Sequence, residues 1–148
     1  MTDIEKMTRK AQEAMQAAAE MAEKNGHSAV EPEHLLFQLL RQEDGIVPSV
    51  VMSTGTNPSA LAKDLETHMS RLPKVTGAAK RVIASQQLTK VFERADIERG
   101  KWKDEYISTE HFVLAILSCS APDLNRICER SGLTLARFTE ALKKMKGS

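Results

Sequence analysis

The sequence has few aromatic residues and no long apolar run, and these shortages narrow the possible folds. Aromatic residues make up 4% of the 148 positions, whereas Ala, Leu and Met are frequent. Such unbranched side chains lose little rotamer freedom in a helix, so the composition favours an α-helical protein. No apolar stretch approaches the roughly 20 residues that a membrane-spanning helix needs. The sequence therefore predicts a helical protein without a membrane span.

Cysteines are also scarce, and the charges nearly balance. Cys119 and Cys128 are too few for a cysteine-based zinc site, and we expect two free thiols, with a disulfide as the open alternative. The formal net charge is +1, whereas nucleic-acid-binding proteins usually carry a basic surplus. The start, MTDIEKMTRK, lacks the apolar run of a signal peptide. We therefore expect a cytoplasmic protein that binds neither nucleic acid nor membrane.

Apolar residues recur at spacings of three and four through most of the chain, which is typical of amphipathic helices. Capping residues, prolines and glycines mark the helix ends. The predicted helices cover 4–24, 32–44, 47–53, 57–72, 85–99, 108–117, 124–129 and 135–145. In the last helix the predicted buried face carries Leu135, Phe138, Leu142 and Met145. We therefore predict an all-α fold of about eight helices.

One phrase occurs twice, as EPEHLLFQLL at 31–40 and STEHFVLAIL at 108–117, with a shift of 77 positions. The same shift aligns Ala18 with Ala95, Gly55 with Gly132, and Leu65 with Leu142. A register held over this length indicates an internal repeat. We predict one domain over 1–148, built as a double four-helix repeat with pseudo-two-fold symmetry. The copies cover approximately 4–72 and 81–146, the connector is 73–80, and a groove can form where the copies meet.

The doubled Glu-His pair has a structural interpretation and two chemical ones. In the structural interpretation the Glu interacts with the helix dipole, and the His accepts a hydrogen bond from the chain before the helix. A metal site would need His34 and His111 to converge across the pseudo-axis. An enzyme would need a nucleophile or phosphate-binding motif, and neither H-E-x-x-H, GxxxxGK[ST] nor GxGxxG occurs. We therefore predict two helix starts, with no catalytic residue and no metal. A helical hydrolase, a metal protein and a DNA-binding protein stay open as alternatives.

Four segments occur in an order and spacing typical of one family: EPEHLLFQLL, RLPKVTG, SQQLTKVFERAD and YISTEHFVLAIL. On these residues the chain resembles the Clp amino-terminal domain family, from about Met7 to Met145, and within it the ClpB branch of disaggregases. The resemblance implies a non-catalytic domain that binds unfolded or aggregated client proteins weakly in an apolar groove. It would pass them to the ATPase ring of its own hexameric AAA+ chain.

The resemblance also implies cofactors and partners outside this domain. ATP and magnesium are expected for the ATPase modules, and no cofactor is expected in the domain itself. A second function in the family is adaptor docking, as in protease-associated unfoldases of the ClpA and ClpC type. Whether the partner is an unfolded client or an adaptor protein is open at this stage.

Residue by residue, the resemblance places five side chains at the groove. Thr8, Asp104 and Glu110 match its polar contacts, Phe92 matches an apolar one, and His111 stands where relatives often have leucine. Each has a plainer alternative, because Phe92 has the spacing of a core residue and the polar residues could be caps or solvated surface.

Two further comparisons follow from the resemblance. Trp102 lies in a charged segment that departs from the family pattern, and we expect it to be partly exposed and to contact a client or partner. Between the two copies of the phrase, Glu110 and His111 are expected to border the groove. Glu33 and His34 are expected only to build the fold.

Overall fold

The computed structural model describes residues 4–75, 82–119 and 121–147, and this part of the chain contains eight α-helices. They are α1 (Arg9–Lys24), α2 (Pro32–Arg41), α3 (Ile46–Ser53), α4 (Pro58–Met69), α5 (Gln86–Lys101), α6 (Thr109–Ser118), α7 (Pro122–Arg130) and α8 (Leu135–Lys146). A single 3-10 turn, Ile4–Lys6, precedes α1. Extended backbone in the described ranges forms only isolated bridges. The predicted all-α fold is therefore confirmed.

Several helices begin at a side chain that supplies the missing hydrogen-bond acceptor of the first turn. The side chains of Thr8, Asn57, Ser85 and Thr134 each accept a backbone N–H at the start of α1, α4, α5 and α8. Pro32 and Pro58 occupy the first helical position of α2 and α4, where the missing N–H loses no helical bond. The predicted caps Asn57 and Ser85 and both proline starts are confirmed.

The two halves of the chain repeat the same helix boundaries. Shifting α1, α2 and α4 by 77 positions gives the bounds of α5, α6 and α8, and α3 gives those of α7 to within one residue. The turns after α3 and α7 both contain a left-handed glycine, Gly55 with φ 91° and Gly132 with φ 96°. The doubled phrase therefore belongs to a double four-helix repeat.

Backbone pairing crosses between the two repeats. The segment before α1 pairs with the segment before α6, and the segment before α5 pairs with the segment before α2. The Thr8 N–H donates to the Ile107 carbonyl at 2.9 Å, and the Ser85 N–H donates to the Val30 carbonyl at 3.0 Å. The shift of 77 relates the donor Thr8 to the donor Ser85 and the acceptor Val30 to the acceptor Ile107. The two bonds are therefore equivalent, and an approximate two-fold axis relates the halves.

The core is built around α2 and α6, which contact each other. Seven of the ten residues of α2 and eight of the ten of α6 are buried, more than an amphipathic stripe requires. In each repeat the first and last helices pack against this central helix, as α1 and α4 on α2 and as α5 and α8 on α6. Each central helix is thus buried by helices of its own repeat and by the other repeat. The two halves therefore share one core.

Several predicted helix ends are wrong. The first helix begins at Arg9 rather than at Ile4, because Thr8 caps it and the residues before Thr8 pair with the segment before α6. The second ends at Arg41 rather than near Asp44, and Asp44 adopts a left-handed φ of 62° in the turn that follows. The predicted loop GKWKDEY also begins too early, because α5 extends to Lys101.

The predicted buried face of α8 is partly wrong. Phe138 and Leu142 are fully buried, but Leu135 is 38% exposed and Met145 is 46% exposed. Both exposed residues lie in the terminal turns of the helix. Leu72, predicted on the buried face of the fourth helix, is half-buried beyond the end of α4. The predicted connector 73–80 lies largely outside the described residues.

The cysteines are free thiols, as predicted. Burial raises the pKa of the Cys128 thiol to about 12, with Glu33 and Glu129 adding to the effect, so this thiol stays protonated. Within the described part of the chain, no helix combines the length and the apolarity that crossing a bilayer requires.

Candidate functional site

The two copies of the Glu-His pair form the same helix start. The Glu31 N–H donates to Nδ1 of His34 at 2.9 Å, and the Ser108 N–H donates to Nδ1 of His111 at 2.8 Å. Both rings are buried, at 0% and 1% exposure. Each His therefore takes the role that Glu or Gln has in a capping box, which confirms the structural interpretation.

These bonds assign the tautomer of each ring. Because Nδ1 accepts, the proton of the neutral ring resides on Nε2. In the second repeat His111 Nε2 donates to Asp104 Oδ2 at 2.8 Å. In the first repeat His34 Nε2 donates to Nδ1 of His27 at 2.9 Å. Burial lowers the pKa of His34 to about 4, with the neighbouring His27 adding to the effect.

Asp104, Glu110 and His111 are brought together with Lys146, a residue that the sequence analysis missed. The Lys146 ammonium lies 2.9 Å from Asp104 Oδ2 and 3.1 Å from Glu110 Oε2. We call these four residues the Lys146 cluster. Glu110 and His111 are buried in it, and Asp104 is one-third exposed. The cluster therefore joins the end of α8 to the start of α6.

Burial and ion pairing act in opposite directions on these groups. Burial raises the pKa of Glu110, but hydrogen bonds from Ser108, from its own backbone and from Lys146 lower it to a net value below the ordinary one. Burial also raises the pKa of Asp104, but the bonds from Lys146 and His111 outweigh this effect and lower the pKa below its ordinary value. Burial lowers the pKa of Lys146, but its bonds to Asp104 and Glu110 outweigh this effect and raise the pKa above its ordinary value. Lys146, Asp104 and Glu110 are therefore charged at neutral pH.

The same cluster contains the donor atoms that a metal would use. Asp104, Glu110 and His111 offer three ligand atoms within 4.8 Å of one another. However, the Lys146 ammonium already occupies the place between the two carboxylates and pairs with both, and His111 Nε2 carries a proton. A divalent cation would have to displace Lys146 and deprotonate this nitrogen. The arrangement is therefore that of an internal ion-pair network.

A groove lies beside the Lys146 cluster, between α5, the end of α6 and α8. It is lined by Arg94, Glu98, Lys101, Trp102, Lys103, Ser118, Leu135, Thr139 and Lys143, with a volume of about 720 Å³. We call it the Trp102 groove. Trp102 is half-buried, as predicted, and Lys146 Nζ lies 5.2 Å from its ring centroid, which is cation–π geometry. The cluster therefore fixes one wall of the groove.

None of the five predicted contacts, Thr8, Phe92, Asp104, Glu110 and His111, lines this groove. Thr8 is half-buried and caps α1 by accepting the Ala11 N–H at 3.2 Å. Phe92 is half-buried on α5, with its ring centroid 6.0 Å from that of Phe112. Thr8 and Phe92 combine a structural contact with partial exposure, so their role at a client surface stays a prediction.

A smaller groove occupies the related place in the first repeat. It is lined by Phe37, Leu40, Arg41, Ser59, Ala62, Lys63 and Glu66, with a volume of about 460 Å³. We call it the Phe37 groove. A shift of 77 aligns Arg41 with Ser118, Ala62 with Thr139, and Glu66 with Lys143. The two grooves are thus pseudo-equivalent surfaces with different side chains.

The sequence pattern does not single out the cations that line the Trp102 groove, because each lies on an ordinary solvated face. The internal repeat offers the signal that could have identified them. Arg94 aligns with Ala17, Lys103 with Gly26, and Lys143 with Glu66, so the second repeat gains positive charge at three related positions. A charged residue that is present in one repeat and absent at the aligned position of the other is not required by the fold that both repeats share.

Comparisons with known proteins agree with this architecture. A family model described as the Clp repeat (R) N-terminal domain matches residues 6–131. The chaperone protein ClpB of Bdellovibrio bacteriovorus is 40% identical over 141 residues, which is 95% of this chain and 16% of that protein. The Hsp104 N-terminal domain from Candida albicans is similar in structure, with a TM-score of 0.84, 19% identity, and coverage of 96% of this chain and 92% of that one. A ClpV N-domain, solved in complex with a VipB peptide, has a TM-score of 0.72 and 20% identity, covering 86% and 80% of the two chains.

Proposed function

This chain belongs to the family of Clp repeat N-terminal domains, and from that premise we propose that it is the client-binding domain of a ClpB-type AAA+ disaggregase. It would bind unfolded or aggregated polypeptide segments and pass them to an ATPase ring, without catalysing a reaction itself. The observation that supports the proposal is the Trp102 groove, which is open to solvent and presents Trp102 and the exposed Leu135 among polar and charged side chains. Concave sites that combine a few apolar contacts with polar groups are typical of binding sites.

The size of this surface predicts weak binding. An apolar side chain contributes roughly 1.5–3 kcal/mol when it is fully buried, and the groove offers few such contacts. We therefore expect dissociation constants in the micromolar to millimolar range. Weak binding suits a domain that must release its client. Several tethered copies in a hexamer would increase the effective strength by avidity.

The remaining parts of the machine belong to the proposal as well. The chain spans 16% of the length of its ClpB relative, so the activity of a whole protein is inferred and not seen in this domain. We propose that ATP and magnesium bind to ATPase modules outside these 148 residues. The domain would then contribute recognition, and the modules would contribute the mechanical work.

An NMR titration tests the client-binding proposal directly. The isotopically labelled domain is titrated with reduced, carbamidomethylated α-lactalbumin, which stays unfolded, and with the native protein as control. We expect shifts at the Trp102 indole and at Leu135, together with the predicted contacts Thr8, Phe92 and Asp104. Shifts confined to the Phe37 groove, or equal shifts with native lactalbumin, would contradict the assignment. Leu135→Ser should weaken binding without unfolding, because this side chain is 38% exposed.

Adaptor docking is the second candidate. The observation in its favour is that a ClpV N-domain, which is similar in fold, was solved with a VipB peptide, so this fold can hold a defined partner segment. The two functions differ in what the partner must be. A client site binds many unfolded chains with similar affinity, whereas an adaptor site binds one folded partner and leaves unfolded lactalbumin unbound.

A further inference from the structure

The Trp102 groove carries an excess of positive charge. Four cations line it, Arg94, Lys101, Lys103 and Lys143, against the single carboxylate of Glu98. Arg94 pairs with Glu98 at 2.8 Å, and Lys101 lies 3.7 Å from the same carboxylate. Among the described residues, Lys103 and Lys143 make no ion pair and are exposed. Two positive charges at the groove are therefore without an internal counter-charge.

Lys103 is held in a conformation that its residue type disfavours. Its φ is 59°, in the left-handed region, and the aligned residue of the first repeat is Gly26 with φ 72°. The backbone turn is thus common to both repeats, but only the second places a side chain on it. A glycine would fit this turn with less strain. The turn therefore does not require a lysine, although a cation just beyond the C-terminus of α5 also interacts favourably with the helix dipole.

The excess of positive charge is larger in the Trp102 groove than in the related Phe37 groove. In the Phe37 groove the position aligned with Lys143 is Glu66, and the remaining charged residues are Arg41 and Lys63. The chain as a whole has a net charge of only +1. The local excess at the Trp102 groove therefore does not follow from the general composition or from the repeat.

We propose that the Trp102 groove binds acidic segments of client polypeptides. Carboxylates of the bound segment would face Lys103 and Lys143, and an apolar side chain between them would pack on Trp102 and Leu135. The inference rests on the proposed client-binding function and adds the class of segment that is recognised. A polypeptide fits better than a nucleic acid, because nucleic acid follows an extended basic surface and this charge is confined to one groove.

The test uses three peptides with one apolar centre and flanks of Glu, Lys or Ser. Trp102 is the sole tryptophan, so its fluorescence reports binding at this groove. We expect the Glu-flanked peptide to bind about tenfold more tightly than the Ser-flanked one at low salt, and the difference to shrink as salt screens the charges. The Lys-flanked peptide should bind most weakly.

Three variants locate the effect. Lys103→Gly removes a charge and adopts the residue found in the related turn, so it should weaken binding of the acidic peptide about threefold while the fold is retained. Lys143→Glu should weaken it about threefold to tenfold. Lys63→Glu makes the same change of charge in the Phe37 groove and should leave the affinity unchanged.

The outcomes separate this inference from the function on which it rests. Equal binding of all three peptides, with the tryptophan signal present, overturns the acidic preference and retains client binding. Failure of every peptide and of unfolded lactalbumin overturns the proposed function. Tighter binding of single-stranded DNA than of the acidic peptide, abolished by Lys143→Glu, would replace the polypeptide ligand by nucleic acid.

Discussion

Nε2 of His34 lies 2.9 Å from Nδ1 of His27 in the buried part of the first repeat. The position aligned with His27 in the second repeat is Asp104, which accepts the same bond from His111. The Nε2–H of His111 therefore donates to a carboxylate, whereas the Nε2–H of His34 donates to a second imidazole. Within the described residues the far nitrogen of His27 is buried without a hydrogen-bond partner.

The His34–His27 pair predicts a loss of stability in mild acid. The pKa of His34 falls from 6.5 to about 4 on folding. Between these values the unfolded chain binds the proton and the folded chain does not, so stability decreases as pH falls. The total loss is about 3 kcal/mol, since each tenfold change in proton affinity corresponds to about 1.4 kcal/mol. Urea unfolding followed at several pH values measures it.

His34→Gln should remove this part of the pH dependence. An amide can still accept the Glu31 N–H and donate to His27, but it does not titrate. The variant is expected to be somewhat less stable at pH 7 and to have a flatter profile toward pH 4. Val51→Ala, a buried apolar substitution, is the control and should shift the whole profile without flattening it. A His34→Gln profile parallel to that of the parent would show that this histidine does not cause the loss.

Removing Lys146 should destabilise the fold through the charges that remain. Lys146→Met leaves the buried carboxylate of Glu110 without its cation, which we expect to cost about 1–3 kcal/mol of unfolding free energy. Adding Glu110→Gln should restore part of this loss, because the uncompensated charge disappears. Lys144→Met removes the same charge from an exposed position and should change stability by less than about 0.5 kcal/mol. Additive losses in the double variant would argue against the cluster.

The two left-handed glycines offer a matched pair of alanine substitutions. Gly55→Ala should cost about 1–2 kcal/mol, from backbone strain alone, because no atom lies within 4 Å of the new methyl group. Gly132→Ala should cost more, since its methyl group would lie 3.2 Å from Thr56 Oγ1. Thermal unfolding of both variants compares them. Equal losses would indicate that Thr56 moves aside at no cost.

The predicted client contact at Thr8 can be separated from its capping role. Thr8→Ala and Ser85→Ala each remove one N-cap acceptor, at 3.2 and 3.1 Å from the capped amide, and each should lose about 1 kcal/mol. Client affinity should fall only in Thr8→Ala, since only Thr8 is a predicted contact. Thr8→Ser keeps the hydroxyl and should behave like the parent. Equal client affinity in the two alanine variants would leave Thr8 as a cap alone.

Local signals in the sequence predicted the helices well. Ser85 and Pro58 act within one turn of the backbone that they cap or start, and the His at the third position of α2 and α6 was predicted to accept from the preceding chain. The start of α1 at Thr8 has a local part, its N-cap, and a distant part that the sequence analysis missed. Apolar spacing extends back to Ile4, but pairing with the segment before α6 keeps the residues before Thr8 out of the helix.

The functional surface was harder to predict, because it depends on side chains that only the tertiary fold brings together. Asp104 and Glu110 were identified from the resemblance, but their partner Lys146 is 42 positions from Asp104. Periodicity assigned Leu135 to the core, although it lies at an open groove. A pattern within one helix reports which face is apolar, and it does not report whether a neighbour covers the end of that face.

The crossed backbone pairing makes the two repeats depend on each other in the same way. Met7 pairs with Ile107, and Val30 pairs with Ala84, so each half supplies the other with the amides and carbonyls that it lacks. A fragment containing only α1 to α4 would expose both members of a self-complementary edge. Two such fragments could satisfy each other in the geometry that the single chain uses internally. The covalent link between the repeats thus replaces a concentration-dependent association by an intramolecular one.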